Sequence, residues 1–176
     1  ECPVVAYDIP GNTANPLTDR VFTEILGHSN IVAVKDSSGD FSRFSRHVIG
    51  QATSTRDEID WIQGEDTLDA AAMLVGAAGL VSGLSNVLPE PFVEMVAAAR
   101  RGDAARVLAM QKVINTLHKI IRDTGKGVAP IRLALSLQRI GTRYLRTKNL
   151  SLGSEWDEPI LAAVNSARSL YEASLG

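Results

Sequence analysis

Short apolar runs alternate with amphipathic stretches over the first hundred residues of the chain. Each run is rich in β-branched residues and ends in polar or small ones; the four runs occupy residues 3–7, 31–35, 59–62 and 79–82. Their spacing is close to that of βα units. Helix-like segments follow them at roughly residues 18–26, 41–49, 67–75 and 90–100. This alternation predicts a parallel sheet whose faces are covered by helices.

After Gly102 the strand-like runs stop and the pattern becomes helical. Asp103 is placed to cap a long helix. The apolar side chains of that helix recur at helical spacing, at Val107, Met110, Ile114, Leu117 and Ile121. A second helix is predicted to begin near Pro130, because proline suits a first helical turn. Its apolar face carries Leu133, Leu137 and Ile140, and a last helix is predicted over roughly residues 158–174.

Four βα units leave two architectures open. A closed (β/α)8 barrel takes eight strands and about 250 residues, whereas this chain has 176. The pattern fits a small open doubly wound sheet, and it also fits the second half of a barrel followed by a helical extension. Topology alone favours the open sheet.

Composition narrows the class of protein. Eighteen Lys and Arg residues against 20 Asp and Glu leave a net charge of −2, which gives no electrostatic reason to expect nucleic acid or an anionic membrane as partner. No apolar run approaches the about 18–20 residues of a membrane span, and no secretory signal is recognisable. Cys2 is the single cysteine, so an internal disulfide is excluded. We expect a cytoplasmic protein.

Lys35 is the most informative position. It ends the second apolar run and precedes Asp36-Ser37-Ser38-Gly39-Asp40. Ligands of parallel α/β folds bind at the carboxyl ends of strands. A lysine there loses hydration, which disfavours its charged form, and imine chemistry needs the neutral amine. The alternative is a strand-end lysine that reaches into solvent, and the isolated residue favours that alternative.

Tyr7 ends the preceding strand. Adjacent strand ends in a parallel sheet would place its hydroxyl near Lys35, where it could transfer protons. Taken alone, the residue favours the alternative of an aromatic side chain at a strand end whose hydroxyl is hydrated.

Polar residues also follow the third and fourth strands. Glu65 and Asp66 could bind substrate hydroxyl groups, although Asp66 is also well placed as a helix N-cap. Ser82 lies where small residues let a substrate approach the backbone, or in a plain turn. Histidines stand at 28, 47 and 118 without metal-ligand spacing, so no metal site is predicted.

Together these stretches resemble the family of pyruvate-type Schiff-base lyases, which includes dihydrodipicolinate synthase, N-acetylneuraminate lyase and the 2-keto-3-deoxy-acid and 4-hydroxy-2-oxoglutarate aldolases. The resemblance rests on Tyr7-Asp8-Ile9-Pro10, on residues 31–40 with Lys35, on Gly64-Glu65-Asp66, on Gly79-Leu80-Val81-Ser82 with Asn86, and on Ala129-Pro130-Ile131-Arg132. These motifs span nearly the whole chain in the family's order.

The resemblance implies an α/β fold of the TIM-barrel type. Residues 1–101 would form the second half of the (β/α)8 barrel, strands 5–8, and residues 102–176 the C-terminal helical extension. Lys35 would form an imine with a 2-oxo acid such as pyruvate, and Tyr7 would shuttle protons. No metal or organic cofactor is implied, because the protonated imine is itself the electron sink. The family is usually homo-oligomeric, as a tetramer or dimer.

Asn12 departs from the pattern of the dihydrodipicolinate synthases, which carry an arginine at that place for the carboxylate of the second substrate. A neutral amide cannot make a bidentate charged contact. We therefore expect a class I aldolase that acts on a 4-hydroxy-2-oxo or 2-keto-3-deoxy acid, with Asn12, Glu65, Asp66 and Ser82 as substrate contacts. Dihydrodipicolinate synthase is the alternative within the family, and a non-catalytic, metabolite-binding pseudoenzyme is the alternative outside it.

The family's first four strands have no counterpart here, and the chain begins with Glu1 shortly before a strand-like run. We therefore expect it to be part of a longer protein. A half barrel leaves two unpaired edge strands, so these 176 residues alone are expected to be marginally stable and prone to aggregate or to pair with another half.

Overall fold

Four strands form one parallel sheet in the order β1-β2-β3-β4. The strands are β1 (Val4–Asp8), β2 (Ile31–Asp36), β3 (Asp60–Gln63) and β4 (Gly79–Leu80). The structure is a computed structural model, and it describes residues 2–51, 59–147 and 150–176. The predicted strands and their parallel arrangement are confirmed, with shifts of one or two residues at the ends.

The helices that connect these strands are α1 (Pro10–Thr13), α2 (Asp19–Ile25), α3 (Phe41–Gln51) and α4 (Asp69–Leu74). Thr18 caps α2, because its side chain accepts a hydrogen bond from the Val21 amide. The one-turn helix α1 was not predicted from the sequence, although Pro10 occupies its first turn. Asp66 is not the N-cap of the next helix: it is the first residue of a 3₁₀ turn, Asp66–Leu68, which Glu65 precedes.

The side chains at the carboxyl ends of the strands form two rows. Tyr7, Lys35 and Ile62 pair across β1, β2 and β3, and the following residues Asp8, Asp36 and Gln63 pair in the same way. Successive residues of a strand point to opposite faces of the sheet. The Asp8 row is buried, at 1–2% exposure, whereas Tyr7 is 44% exposed. The Asp8 row is therefore a buried polar layer on one face of the sheet, and the Tyr7 row is accessible on the other face.

Trp61 is the centre of the aromatic packing on the buried face. Its ring stacks on His47 at 4.8 Å between centroids and contacts Phe22 and Phe44 at 5.5 and 6.0 Å. Phe22 is completely buried, so it anchors α2, whereas the stripe of Val21, Ile25 and Leu26 that helical spacing suggests is only half-buried.

The chain divides into two compact units, residues 1–81 and residues 82–176. The second unit contains α5 (Glu90–Arg100), α6 (Ala104–Thr124), α7 (Val128–Leu137) and α8 (Asp157–Ala173). Helix α6 packs against α5, α7 and α8. Among the described residues, every helix is too short or too polar to span a bilayer.

The long helix follows its sequence pattern closely. Asp103 caps α6 by accepting a hydrogen bond from the Arg106 amide at 2.9 Å, and the predicted stripe is buried from Val107 to Leu117. The next helix begins near Pro130 as predicted: α7 starts at Val128, and Pro130 lies in its first turn. The prediction was wrong for Ile140, which lies beyond the end of the helix and is 56% exposed.

Candidate functional site

Tyr7 and Lys35 lie side by side at the carboxyl ends of β1 and β2. The parallel register pairs them directly, and the Lys35 Nζ lies 4.1 Å from the centroid of the Tyr7 ring. Both belong to the accessible row of the sheet. A primary amine and a phenol at this separation can act on the same small molecule, the amine as nucleophile and the phenol as proton donor or acceptor.

Ser37 completes this pair from the loop that follows β2. Its hydroxyl donates a hydrogen bond to the Tyr7 phenolic oxygen at 3.4 Å, and its backbone amide donates to the Asp8 carbonyl at 2.8 Å. Partial burial raises the pKa of Tyr7, but the Ser37 hydrogen bond and the neighbouring Lys35 ammonium outweigh it and lower this pKa below its usual 10.0. These neighbours therefore make the Tyr7 phenol more acidic than an ordinary tyrosine.

Gly64 gives Lys35 and Ser37 the space that they occupy. A Cβ atom at Gly64 would lie 2.2 Å from the Ser37 hydroxyl oxygen and 2.7 Å from the Lys35 Cε. The Gly64 amide also donates to the Asp36 carbonyl at 2.8 Å. A side chain at position 64 would therefore force the Ser37 hydroxyl and the end of the Lys35 side chain to move.

The predicted carboxylates follow β3. The Gln63 side-chain oxygen accepts hydrogen bonds from the amides of Gly64 and Glu65, both at 2.9 Å, and so shapes this turn. Glu65 accepts a hydrogen bond from the Thr67 hydroxyl at 2.9 Å, while Asp66 is buried. The predicted substrate contacts of Glu65 and Asp66 remain predictions.

Asp69 adds a third carboxyl group beside these two. It is 1% exposed, and burial, followed by the charges of Asp66 and Glu65, raises its pKa to about 9. Asp69 is thus a neutral acid at pH 7. No group of three or more potential metal-ligating side chains with suitable geometry occurs in residues 2–51, 59–147 or 150–176.

The structure places the two remaining predicted residues as follows. Asn12 is exposed on α1, five residues after Tyr7. Ser82 belongs to the second compact unit, where its hydroxyl accepts a hydrogen bond from the Ser85 amide at 3.2 Å. That bond is typical of the plain turn that the sequence left open.

Ser37 and Gly64 are site residues that the sequence prediction missed. Ser37 stands two positions after Lys35, and Gly64 directly follows the end of β3. The sequence feature that could have identified them is their position: Ser37 follows the end of the lysine strand, and Gly64 follows the end of the neighbouring strand. Serine and glycine are common in such turns, so the signal did not distinguish them from ordinary loop residues.

Comparison with known proteins assigns this chain to a family. The profile of the dihydrodipicolinate synthetase family matches residues 1–164. A relative from Methanoculleus marisnigri, named 4-hydroxy-tetrahydrodipicolinate synthase, is 32% identical over 161 residues, which are 83% of this chain and 54% of the relative.

Two solved structures share the fold. Dihydrodipicolinate synthase from Aquifex aeolicus superposes with a TM-score of 0.82 at 23% identity, covering 94% of this chain and 55% of that one. A variant of the 2-keto-3-deoxygluconate aldolase of Sulfolobus solfataricus gives a TM-score of 0.78 at 22% identity, covering 98% and 56%.

The chain thus spans about half the length of the relatives that it matches. The matched regions cover 83% of this chain for the Methanoculleus marisnigri relative and 94% for the Aquifex aeolicus structure. The α/β architecture and the family profile agree, and the chain belongs to the dihydrodipicolinate synthetase family.

Proposed function

We propose that the intact protein is a lyase that forms a Schiff base between Lys35 and a 2-oxo acid, with pyruvate as substrate or product. The observation that carries the proposal is the pairing of the Lys35 amine with the Tyr7 phenol, 4.1 Å from nitrogen to ring centroid, at the carboxyl ends of neighbouring parallel strands.

The chemistry follows from these two groups. The neutral amine attacks the keto carbon, and loss of water leaves an imine. In its protonated form, the imine accepts the electron pair released when a proton leaves the adjacent carbon, which gives an enamine. The enamine carbon then attacks an aldehyde and forms a C–C bond, and the same steps in reverse cleave one. Hydrolysis of the imine regenerates the lysine.

Tyr7 is suited to the proton transfers in this sequence. Its lowered pKa makes the phenol a better acid than an ordinary tyrosine, and Ser37 holds its oxygen by a hydrogen bond. Proton transfer to the hydroxyl group that leaves as water and to the new alkoxide both need a donor within reach of the imine. We assign both transfers to Tyr7, and we assign the substrate contacts to Asn12, Glu65, Asp66 and Ser82.

Two reactions of this type are candidates, and a different observation supports each of them. The relative from Methanoculleus marisnigri bears the name 4-hydroxy-tetrahydrodipicolinate synthase, which supports synthesis of that compound more strongly than the aldolase favoured by the sequence. Asn12 supports the aldolase, because an amide lacks the charge that would bind a second carboxylate. We propose the synthase as the first reaction to test and cleavage of a 4-hydroxy-2-oxo or 2-keto-3-deoxy acid as the second.

We further propose that residues 1–101 form half of a (β/α)8 barrel, with residues 102–176 as its helical extension. The four-stranded parallel sheet and the coverage of about half of each solved relative support this assignment. A homo-oligomer in the cytoplasm is proposed on the same family relationship.

The test is reduction with borohydride in the presence of pyruvate, followed by peptide mapping of the intact protein. A stable adduct on Lys35 is expected, together with its absence in Lys35→Met. The control variant is Lys112→Met, which removes an exposed lysine of α6. An unmodified Lys35 in the folded wild type would refute the lyase and leave a metabolite-binding protein.

A second experiment separates the two reactions. In the first assay, pyruvate release is measured from 4-hydroxy-2-oxoglutarate and from 2-keto-3-deoxygluconate. In the second assay, ring formation is measured from pyruvate and the four-carbon amino-acid aldehyde that supplies the other ring atoms. Activity in the second assay alone identifies the synthase. Activity only in the first identifies the aldolase.

A further inference from the structure

A buried arginine lies directly behind the Tyr7–Lys35 pair. Arg43, in the first turn of α3, is 8% exposed, and its guanidinium bonds to the carboxylate of Asp8 and contacts that of Asp36 at 3.4 Å. Asp8 and Asp36 are themselves 1% and 2% exposed. We call these three residues the Arg43 clasp.

The clasp joins the two strands at the residues that immediately follow Tyr7 and Lys35. Asp8 is the last residue of β1 and Asp36 the last of β2, and the register pairs them. Each carboxylate therefore belongs to the residue directly after a site residue. A shift of its backbone also shifts that site residue. The clasp lies on one face of the sheet and holds residues that face the other.

Further hydrogen bonds tie the clasp to its surroundings. Arg43 donates to the Leu17 carbonyl at 2.6 Å, and the Leu17 amide donates to Asp8 at 3.0 Å. Asp36 accepts a hydrogen bond from the Ser38 amide at 2.7 Å. The loop that contains Ser37 is thus held by the same carboxylate that Arg43 contacts.

The placement of Arg43 is itself determined by α3. The Asp40 carboxylate accepts a hydrogen bond from the Arg43 amide at 3.0 Å, and the guanidinium lies 5.3 Å from the centroid of the Phe22 ring. Asp40 is in turn oriented by its own amide, which donates to the Ser38 hydroxyl at 3.1 Å. These contacts fix the backbone of the first helical turn from which the Arg43 side chain extends.

Stability alone does not account for this arrangement. Two carboxylates and one guanidinium carry a net negative charge out of water, and buried ion pairs often contribute no more to stability than apolar residues of similar volume. A buried ion pair can instead hold a specific geometry, and the planar fork of arginine can hold two carboxylates in fixed directions.

We propose that Arg43 is a positioning residue that sets the distance between the Tyr7 phenol and the Lys35 amine through Asp8 and Asp36. The inference that Arg43 affects catalysis rests on the proposed function. The inference that Arg43 sets the distance between the phenol and the amine does not. Arg43 does not touch the proposed substrate, because it lies on the opposite face of the sheet.

The primary test is Arg43→Lys in the intact protein. A lysine retains one charge but loses the planar fork, so the two strand ends are expected to shift relative to each other. The rate of borohydride trapping at saturating pyruvate should fall about 10-fold, since a displacement of 1 Å can cost about 10²-fold. The pyruvate concentration for half-maximal trapping should change less.

The matched control is Arg46→Lys on the same helix. Arg46 is exposed and pairs with Asp19 at 3.4 Å, on the surface of α3. Its replacement should leave the trapping rate unchanged. If Arg43→Lys does not fold, Asp8→Asn provides the second variant, because it removes one carboxylate while Arg43 keeps Asp36.

A double-mutant cycle distinguishes positioning from a general loss of stability. In a Tyr7→Phe background, Arg43→Lys should reduce the trapping rate by clearly less than it does in the wild type, because the group that it positions is already gone. Equal factors in both backgrounds would overturn the proposal, as would a wild-type trapping rate in folded Arg43→Lys and Asp8→Asn.

Titration of the Tyr7 phenol gives a readout that does not depend on catalysis. Arg43→Lys should raise the pKa of Tyr7, because the phenol moves away from the Ser37 hydroxyl and the Lys35 ammonium that lower it. If wild-type Lys35 forms no adduct, the proposed function fails while this titration still decides the inference. An unchanged Tyr7 titration in folded Arg43→Lys would overturn it.

Discussion

The space beside the Lys35 side chain is provided by Gly64: a Cβ at Gly64 would lie 2.7 Å from the Lys35 Cε, far inside van der Waals contact. Lys35 lies in β2, and Gly64 directly follows the last residue of the neighbouring strand β3. The Lys35 side chain therefore has room at this position because its neighbour has no side chain.

Gly64→Ala is expected to displace the lysine and the Ser37 hydroxyl. The trapping rate with pyruvate and borohydride should fall about 10²-fold, the cost of a displacement near 1 Å. Gly79→Ala is the matched control on β4, because a Cβ there meets nothing within 4 Å. Trapping by Gly64→Ala at the wild-type rate would show that the lysine does not need this space.

Ser37→Ala removes a hydrogen bond that lowers the pKa of Tyr7, so that pKa should rise. The measurement is the alkaline titration of phenolate absorbance, taken as the difference between each protein and its Tyr7→Phe partner. Ser45→Ala, at a half-buried serine of α3, should leave the titration unchanged. A downward shift in Ser37→Ala would contradict the assigned contact.

Asp69 makes the stability of the protein depend on pH. Its folded pKa of about 9 lies above the ordinary 3.8 because of burial and the neighbouring carboxylates. The folded state therefore binds the extra proton, so the stabilisation is complete below about pH 4 and is lost as pH rises through 9.

Asp69→Asn should remove this dependence. Between pH 5 and 8 the free energy of unfolding of the wild type should fall relative to that of the variant by up to about 1.4 kcal/mol per pH unit, the effect of one proton. Urea unfolding at several pH values measures the difference. Asp60→Asn, at an exposed carboxylate of β3, controls for the loss of a charge. Parallel curves for wild type and Asp69→Asn would refute the raised pKa.

Arg139 closes the end of α7 in a conformation that suits glycine. Its φ is +64°, its amide donates to the Ser136 carbonyl at 3.0 Å, and the Ile140 amide donates to the Leu135 carbonyl at 2.9 Å. These are the hydrogen bonds of a Schellman motif, in which glycine is usual at the left-handed position.

Arg139→Gly should therefore raise the free energy of unfolding by about 1 kcal/mol, the strain of a side chain in the left-handed region. Gly125, with φ +63° at the end of α6, offers the converse change. Gly125→Ala should lower stability by about the same amount, as measured by denaturant unfolding. Equal stabilities of the wild type and Arg139→Gly would show that the arginine conformation is not strained.

Local sequence pattern was sufficient for most elements of secondary structure. The four β-branched runs, the Asp103 cap and the stripe of α6 all depend on residues within a few positions of one another. The errors occurred at the ends of elements. The helical spacing of apolar residues continues to Ile140, although the hydrogen bonds of α7 end before it. The one-turn helix α1 was missed because four residues carry no periodicity.

The pairing of Tyr7 with Lys35 was accessible from the sequence because both residues end consecutive runs, and a parallel sheet brings such ends together. The contacts that orient them were not accessible in this way. Arg43 lies 35 positions from Asp8, and its sequence neighbourhood is that of an ordinary helix start with a solvent-facing arginine.

By itself, then, the sequence determined the order of strands and helices, because that order depends on short-range periodicity, and its strand-end motifs resembled those of the family that the comparisons show. Only the tertiary structure decided that Ser37 bonds to the phenol, that Gly64 makes room for the lysine and that Arg43 joins the two strands from behind. Those contacts depend on which side chains the sheet brings within a few ångströms, and no spacing along the chain specifies that.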